Sequence, residues 1–164
     1  MAPEIIERDE FIVIGIRTVL TDGLAAAGNL WRSQFLPRRS EIKNMESRYY
    51  GVFNALAGHE KDKHYEYVAG VATDSLEDIP VGMVGWVVPA GKYAELEATG
   101  FAGIGAAYKD VFEKWLSESG YALVGTPIFA YTESQSPDAP DTIWKVNIAV
   151  ETPEELARLA NWLK

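Results

Sequence analysis

Six aromatic residues in this chain fall at spacings that bring flat, polarisable surfaces together. Trp31 and Phe35 are four apart, as are Tyr108 and Phe112, so each pair shares a face if its segment is helical. Tyr67 and Trp144 sit in alternating apolar runs that read as strands. Stable cores favour Leu, Ile and Val, because Trp and Tyr carry polar tips that need partners. Grouped amphipathic rings suit a pocket for flat apolar or cationic molecules, held by stacking and by ring quadrupoles. For any one ring the plain alternative is core packing. Aromatics are 12% of the chain, with 5 Trp and 8 Tyr, which makes the grouped reading the informative one.

Other chemistry is harder to place. His59-Glu60-Lys61-Asp62-Lys63-His64 holds possible metal ligands, but it reads as a solvated hairpin loop, and zinc needs ligands that converge. Neither histidine has the apolar surroundings of a haem ligand. Gly100, Gly103 and Gly105 open a helix without the spacing of a dinucleotide or phosphate fingerprint. No Ser–His–Asp set or nucleophile elbow stands out. Cysteine is absent, which removes thiolate nucleophiles, disulfides and zinc–thiolate sites together. Carboxylates are too numerous to rank as acid or base. The expectation is no catalytic set, no metal and no cofactor.

Charge narrows the partners. The chain has 24 Asp and Glu against 15 Lys and Arg, a net charge of −9. A duplex-binding protein neutralises phosphates with clustered Lys and Arg, so direct nucleic-acid binding is not expected. The same field favours cationic small molecules. The charged N-terminus lacks a signal-peptide run, and no segment reaches the ~18 apolar residues of a membrane span. A soluble, unprocessed, cytoplasmic protein with no membrane contact is expected.

Those rings need elements to hold them. At 164 residues the chain has the length of one domain. Residues 4–20 read as a strand buried on both faces, from Phe11, Ile12, Val13, Ile14 and Ile16. Thr21-Asp22-Gly23 offers a helix cap, Leu24, Ala27, Leu30, Trp31 and Phe35 follow at helical spacing, and Pro37 ends or kinks that helix. Ser40 caps a last short turn. Residues 48–56 and 65–73 read as a hairpin with a charged loop between them. Residues 82–99 are extended, broken at Pro89-Ala90-Gly91. Residues 100–119 are helical, with Ile104, Tyr108, Val111, Phe112 and Trp115 on one stripe and Gly120 as C-cap. Strands at 128–133 and 142–150 follow. Thr152-Pro153-Glu154-Glu155 starts a C-terminal helix to residue 163.

One offset of 77 residues lays the first half over the second. Gly23 meets Gly100, Gly28 meets Gly105, Trp31 meets Tyr108, Phe35 meets Phe112 and Tyr67 meets Trp144. The expected fold is α/β (α+β): two strand–helix–strand–strand units, residues 4–74 and 82–150, about a pseudo-two-fold axis. The sheet is mainly antiparallel, within one domain that ends in an extra helix.

The chain also resembles the GyrI-like proteins, related to the effector-binding domains of multidrug-responsive regulators. The resemblance is carried by Leu30-Trp31-x-x-x-Phe35, Arg48-Tyr49-Tyr50-Gly51-Val52, Tyr67-x-Ala69-Gly70-Val71 and Val88-Pro89-Ala90-Gly91-Lys92-Tyr93-Ala94. Tyr108, Trp115-Leu116, Ser119-Gly120-Tyr121 and Ile128-Phe129-Ala130-Tyr131 continue it over residues 4–150. It implies the same duplicated fold and a central aromatic pocket for bulky, often cationic, lipophilic drugs and dyes. On that reading the site residues are Trp31, Phe35, Tyr50, Tyr67, Trp86, Tyr108, Phe112, Tyr131 and Trp144. It also implies two alternatives, a hydrolase of strained cyclopropane-bearing toxins and a gyrase-interacting inhibitor. No DNA-binding segment precedes residue 4, so a stand-alone member is expected. The family often has a buried glutamate just before the tyrosine of its fifth strand. Here Phe129 and Ala130 precede Tyr131, and Glu133, on the same face by alternation, is the candidate substitute.

Overall fold

The computed structural model describes residues 2–20, 27–43, 45–55 and 65–162. Eight strands form one sheet: β1 (Glu4–Arg8), β2 (Phe11–Leu20), β3 (Tyr49–Ala55), β4 (Tyr65–Thr73), β5 (Val84–Val88), β6 (Gly91–Thr99), β7 (Ala122–Thr132) and β8 (Ile143–Glu151). Every pairing is antiparallel, in the order β1-β6-β8-β7-β3-β4-β2-β5. From the central β3–β7 pair outward the order is a palindrome of the two units, as the repeat requires. Each outer strand is exchanged: β1 pairs with β6 of the second unit, and β5 pairs with β2 of the first.

That exchange closes the sheet. Glu4 faces Glu95 and Arg8 faces Gly91; in unbroken register, Phe11 faces Val88 and Gly15 faces Val84. Residues 4–20 and 84–99 therefore act as two long bent strands, kinked at Asp9-Glu10 and at Pro89-Ala90. The Tyr93 phenol holds the second kink, donating to the Pro89 carbonyl at 2.8 Å. Because β1 runs into β2 and β5 into β6, the two ends of the sheet are joined through these long strands. The Phe11 ring lies 5.2 Å from Phe129, although β4 and β3 stand between their strands. Among the described strands β1 and β5 each have one partner, so the unpaired edges are confined to these two five-residue strands.

Alternation then sorts the side chains onto two faces. The inner face buries Val13, Tyr50, Val52, Val68, Val88, Tyr93, Phe129 and Tyr131 against one another. The outer face carries Ile14, Ile16, Tyr49, Phe53, Tyr67, Val71, Ile128, Trp144, Val146 and Ile148, covered by two helical runs.

The first run is a short α turn (Ala27–Asn29), a π segment (Leu30–Phe35) and a 3-10 segment (Leu36–Glu41). At Pro37 the run changes type, from π to 3-10, rather than ending. The proline lies in the first turn of the 3-10 segment, where a missing N–H is tolerated. The second run is α-helical over Gly100–Asp110, π over Val111–Trp115 and α-helical again over Leu116–Ser119. Gly120 terminates it at φ +79°, the left-handed C-cap expected from sequence. The C-terminal helix Pro153–Trp162 starts on the expected cap, with the Glu155 N–H donating to Thr152 Oγ1 at 3.2 Å.

The repeat is inexact in register: at an offset of 77 residues Thr73 corresponds to Val150 and Ile12 to Pro89, yet Ile12 faces Thr73 while Lys92 faces Val150. β3 stays in register with β4 from Tyr49 to Ala55, whereas β7 shifts on β8 between Leu123 and Ile128. Pro127, which has no N–H for a ladder, lies in the break. A constant offset of 77 residues therefore does not run through every strand. Gly23, Leu24 and the 21–23 cap lie outside the described residues. β7 also begins at Ala122, earlier than the strand at 128–133 read from the sequence.

Candidate functional site

Between the outer face and the helical runs, seven rings pack into a continuous nest. The π segment of the first run places Trp31 and Phe35 downward, with ring centres 5.4 Å apart and edge to face. Trp31 also meets Tyr49 at 5.7 Å and Trp144 at 6.0 Å. Phe101, at the start of the second run, covers Trp144 at 5.7 Å. Phe53 and Tyr67 lie stacked at 6.4 Å. Trp31, Phe35 and Trp144 are fully buried. Pairs of this kind contribute ~0.5–1.5 kcal/mol beyond their buried area.

Two tryptophan N–H groups sit in the nest, and their fates differ. Trp31 Nε1–H donates to the Tyr67 hydroxyl at 3.0 Å. Gly51 makes that contact possible, because a Cβ there would stand 2.2 Å from the Tyr67 oxygen. Burial pushes the Tyr67 phenol well above its ordinary value of 10, and the bond from Trp31 opposes this only in part. Trp144 Nε1 is equally buried and has no hydrogen-bond partner among the described residues. A charged group touches the nest: the Arg39 guanidinium lies 5.9 Å from the Tyr49 ring centre and donates to its hydroxyl.

A second ring group lies inside the closed sheet. Phe11, Tyr50 and Phe129 meet at 5.2–6.1 Å, Tyr93 packs on Phe129 at 5.1 Å, and Tyr131 stands 5.8 Å from Tyr50. Its rim is charged. Arg8 pairs with Glu95, whose side chain is only 10% exposed, and donates through Nε to Asn147 Oδ1 at 2.9 Å. Tyr131 OH and Asn147 Nδ2 each donate to Glu95 at 3.3 Å. The Arg48 guanidinium lies 4.4 Å above the Tyr131 ring. An open cleft of about 610 Å3 adjoins this rim, lined by Tyr131, Glu133, Ser136, Asp141, Thr142 and Lys145 among others.

The nine rings singled out from sequence are thus divided by the sheet. Trp31, Phe35, Tyr67 and Trp144 are in the outer nest. Tyr50 and Tyr131 are on the inner face, and Trp86 is half-buried at its margin. Tyr108 is half-buried against the nest and stacks at 6.2 Å on Phe112, which is 54% exposed and points out. They do not line one cavity: Tyr49 and Tyr50 are neighbours in β3, and alternation sends them to opposite faces. That rule, applied to β3, β7 and β8, is the signal that separates the two groups.

Sequence reading missed Tyr49 and Phe101 in the nest, and Arg8, Glu95 and Asn147 on the inner rim. Glu133 is not a substitute buried carboxylate; its side chain is 71% exposed and paired with Arg48 at 3.1 Å. The His59–His64 stretch lies outside the described residues. Among those described, no three His, Asp or Glu groups converge as a metal site, and no helix is long and apolar enough to cross a membrane.

A family model described as a GyrI-like small molecule binding domain matches residues 1–151. The chain is 31% identical over 123 residues to the transcriptional regulator BrlR of Pseudomonas aeruginosa, covering 73% of this chain and 44% of that regulator. It thus spans less than half the length of this relative. Among solved structures, SAV2435 bound to tetraphenylphosphonium superposes with a TM-score of 0.67 at 14% identity, over 94% of this chain and 97% of that one. An integron cassette protein of Vibrio cholerae superposes at 0.61 and 21% identity, over 92% and 96%. The EcmrR C-terminal domain superposes at 0.64 and 16% identity, over 91% and 96%. These structures share the fold.

Proposed function

Because the chain belongs to the GyrI-like small-molecule-binding family, we propose that it captures bulky, flat, lipophilic compounds, cationic ones among them, in the outer ring nest. The observation that carries this reading is the nest itself: Trp31, Trp144, Tyr49, Phe35 and Phe101 in mutual contact under two helical runs. Both runs contain a π segment beside it, a looser hydrogen-bond pattern common at functional sites. The structural relative that holds tetraphenylphosphonium, a tetrahedral cation sheathed in four rings, supports bulk, lipophilicity and positive charge, and the flat shape rests on the ring nest alone.

The nest recognises shape more than charge. The charged side chain that touches its rings is a cation, Arg39 at Tyr49, so a cationic ligand is held there by ring quadrupoles, worth about 0.5–2 kcal/mol. The diffuse field of the net −9 charge is screened beyond ~8 Å at physiological salt. A cytoplasmic sink or sensor for such compounds fits these features.

Titration with a flat aromatic dye tests the reading. Tryptophan fluorescence should quench with micromolar affinity. Trp31→Ala and Trp144→Ala should each weaken binding by about 1–3 kcal/mol, as stacked aromatic contacts do elsewhere. Unchanged affinity in both variants moves the site to the inner ring group, where Tyr131→Ala is the next variant.

A further inference from the structure

Trp31 and Trp144 stand 6.0 Å apart in the same nest, both fully buried, yet only Trp31 has a partner for its N–H. Buried indole N–H groups normally find an acceptor, because an unmade bond carries the full desolvation penalty of the donor. The sequence had simple ways to avoid that penalty. A phenylalanine at 144 would keep an aromatic ring without a donor, and a serine or threonine nearby would supply an oxygen.

We infer that the Trp144 Nε1–H is a donor held for a bound molecule, so that the compounds taken by the nest are flat lipophiles carrying a hydrogen-bond acceptor. A ketone or quinone oxygen or a ring nitrogen meets this requirement, whether or not the molecule is also cationic. The inference rests on the nest being the binding site and adds the chemical class it selects. A pure hydrocarbon of the same outline stacks on the same rings but leaves the N–H unpaired. The acceptor-bearing compound restores the missing bond, and one such bond in a dry site is worth about tenfold in affinity.

The test uses fluorenone and fluorene, which share an outline and differ in one carbonyl, with binding read by calorimetry. Two variants accompany the wild type. In one, Trp144 is replaced by 3-benzothienylalanine, which exchanges the N–H for sulfur and keeps the bicyclic shape; the other is Trp144→Phe. The wild type should bind fluorenone about tenfold more tightly than fluorene. Both variants should lose that preference, read within each variant as the ratio of its two affinities. The benzothienyl variant should also melt at a higher temperature, because an unpaired buried donor is gone. A preference that survives in the benzothienyl variant overturns the assignment. So does wild-type binding of both compounds with equal affinity. A lowered melting temperature would show that Trp144 already has a partner within the fold. Binding of neither compound overturns the nest as the site, and this assignment with it.

Discussion

In the first half a helical tryptophan reaches the strand beneath it, and Trp31 donates to Tyr67. By the sequence spacing, the second half puts Tyr108 where Trp31 stands and Trp144 where Tyr67 stands. The mirror bond is not made, because Trp144 Nε1 has no partner. The helical residues differ in the same direction. Trp31 is fully buried, while Tyr108 is half-buried and stacked on the exposed Phe112. One half completes its polar contact inside the fold and the other leaves a donor open. Duplication gives two copies of a scaffold, and they differ in whether the buried indole N–H is paired.

The largest test of that comparison is truncation of the two helical rings. Trp31→Ala should destabilise the fold by about 3–5 kcal/mol, the range for emptying a buried Trp or Phe site. Tyr108→Ala should cost only about 1 kcal/mol, the centre of ordinary point mutations. Urea unfolding of both variants measures the difference, and equal losses would mean that the halves carry the core alike.

A sharper test turns the first half into a copy of the second. Tyr67→Phe removes the acceptor of Trp31 and leaves a second buried indole N–H unpaired, which should cost about 1–3 kcal/mol. The same variant has a signature in pH. Burial raises the folded-state pKa of Tyr67 above 10, so the folded phenol keeps its proton where the unfolded chain loses it. Its contribution is complete below about pH 10 and falls as pH rises further, by up to ~1.4 kcal/mol per unit. Tyr67→Phe should flatten this alkaline decline. Tyr50 and Tyr93, also raised by burial, should leave a residual slope. An unchanged slope would mean that Tyr67 ionises as readily in the fold as outside it.

Much of this architecture was legible in the sequence. Trp31 and Phe35 share a face because π and α turns both keep residues four apart close together. Tyr67, Val71, Trp144 and Val146 share a face because a strand alternates. Gly120 and Thr152 mark helix boundaries through local chemistry, with no help from tertiary contacts. The exchange of β1 and β5 was not legible, because nothing local at Asp9 or Pro89 says which strand lies alongside. Once that pairing closes the sheet, Phe11 comes within reach of Phe129 and Arg8 within reach of Glu95. The buried carboxylate was missed for the same reason. Glu95 reads as one more charged residue until its partners, from β1, β7 and β8, are brought around it.

The smallest expected effect concerns charge. Glu95 is the carboxylate with the most buried environment among the ion pairs, but it lies on the inner face and Arg8 already neutralises it. Glu133 is mostly exposed beside Arg48. Neither belongs to the nest, so a cationic dye should exceed its neutral analogue of the same shape by no more than about thirtyfold, or ~2 kcal/mol. Raising salt should reduce that modest preference, because part of it comes from the diffuse acidic field. Glu133→Gln should leave the preference unchanged and shift stability by less than about 1 kcal/mol, as exposed ion pairs do. Paired titrations of the two dyes at low and high salt, in wild type and variant, measure all three effects. A preference above a thousandfold that survives salt requires a desolvated carboxylate at the ligand. Glu95 would then be the residue to mutate, and the inner cluster rather than the nest would be the place where this chain meets its cation.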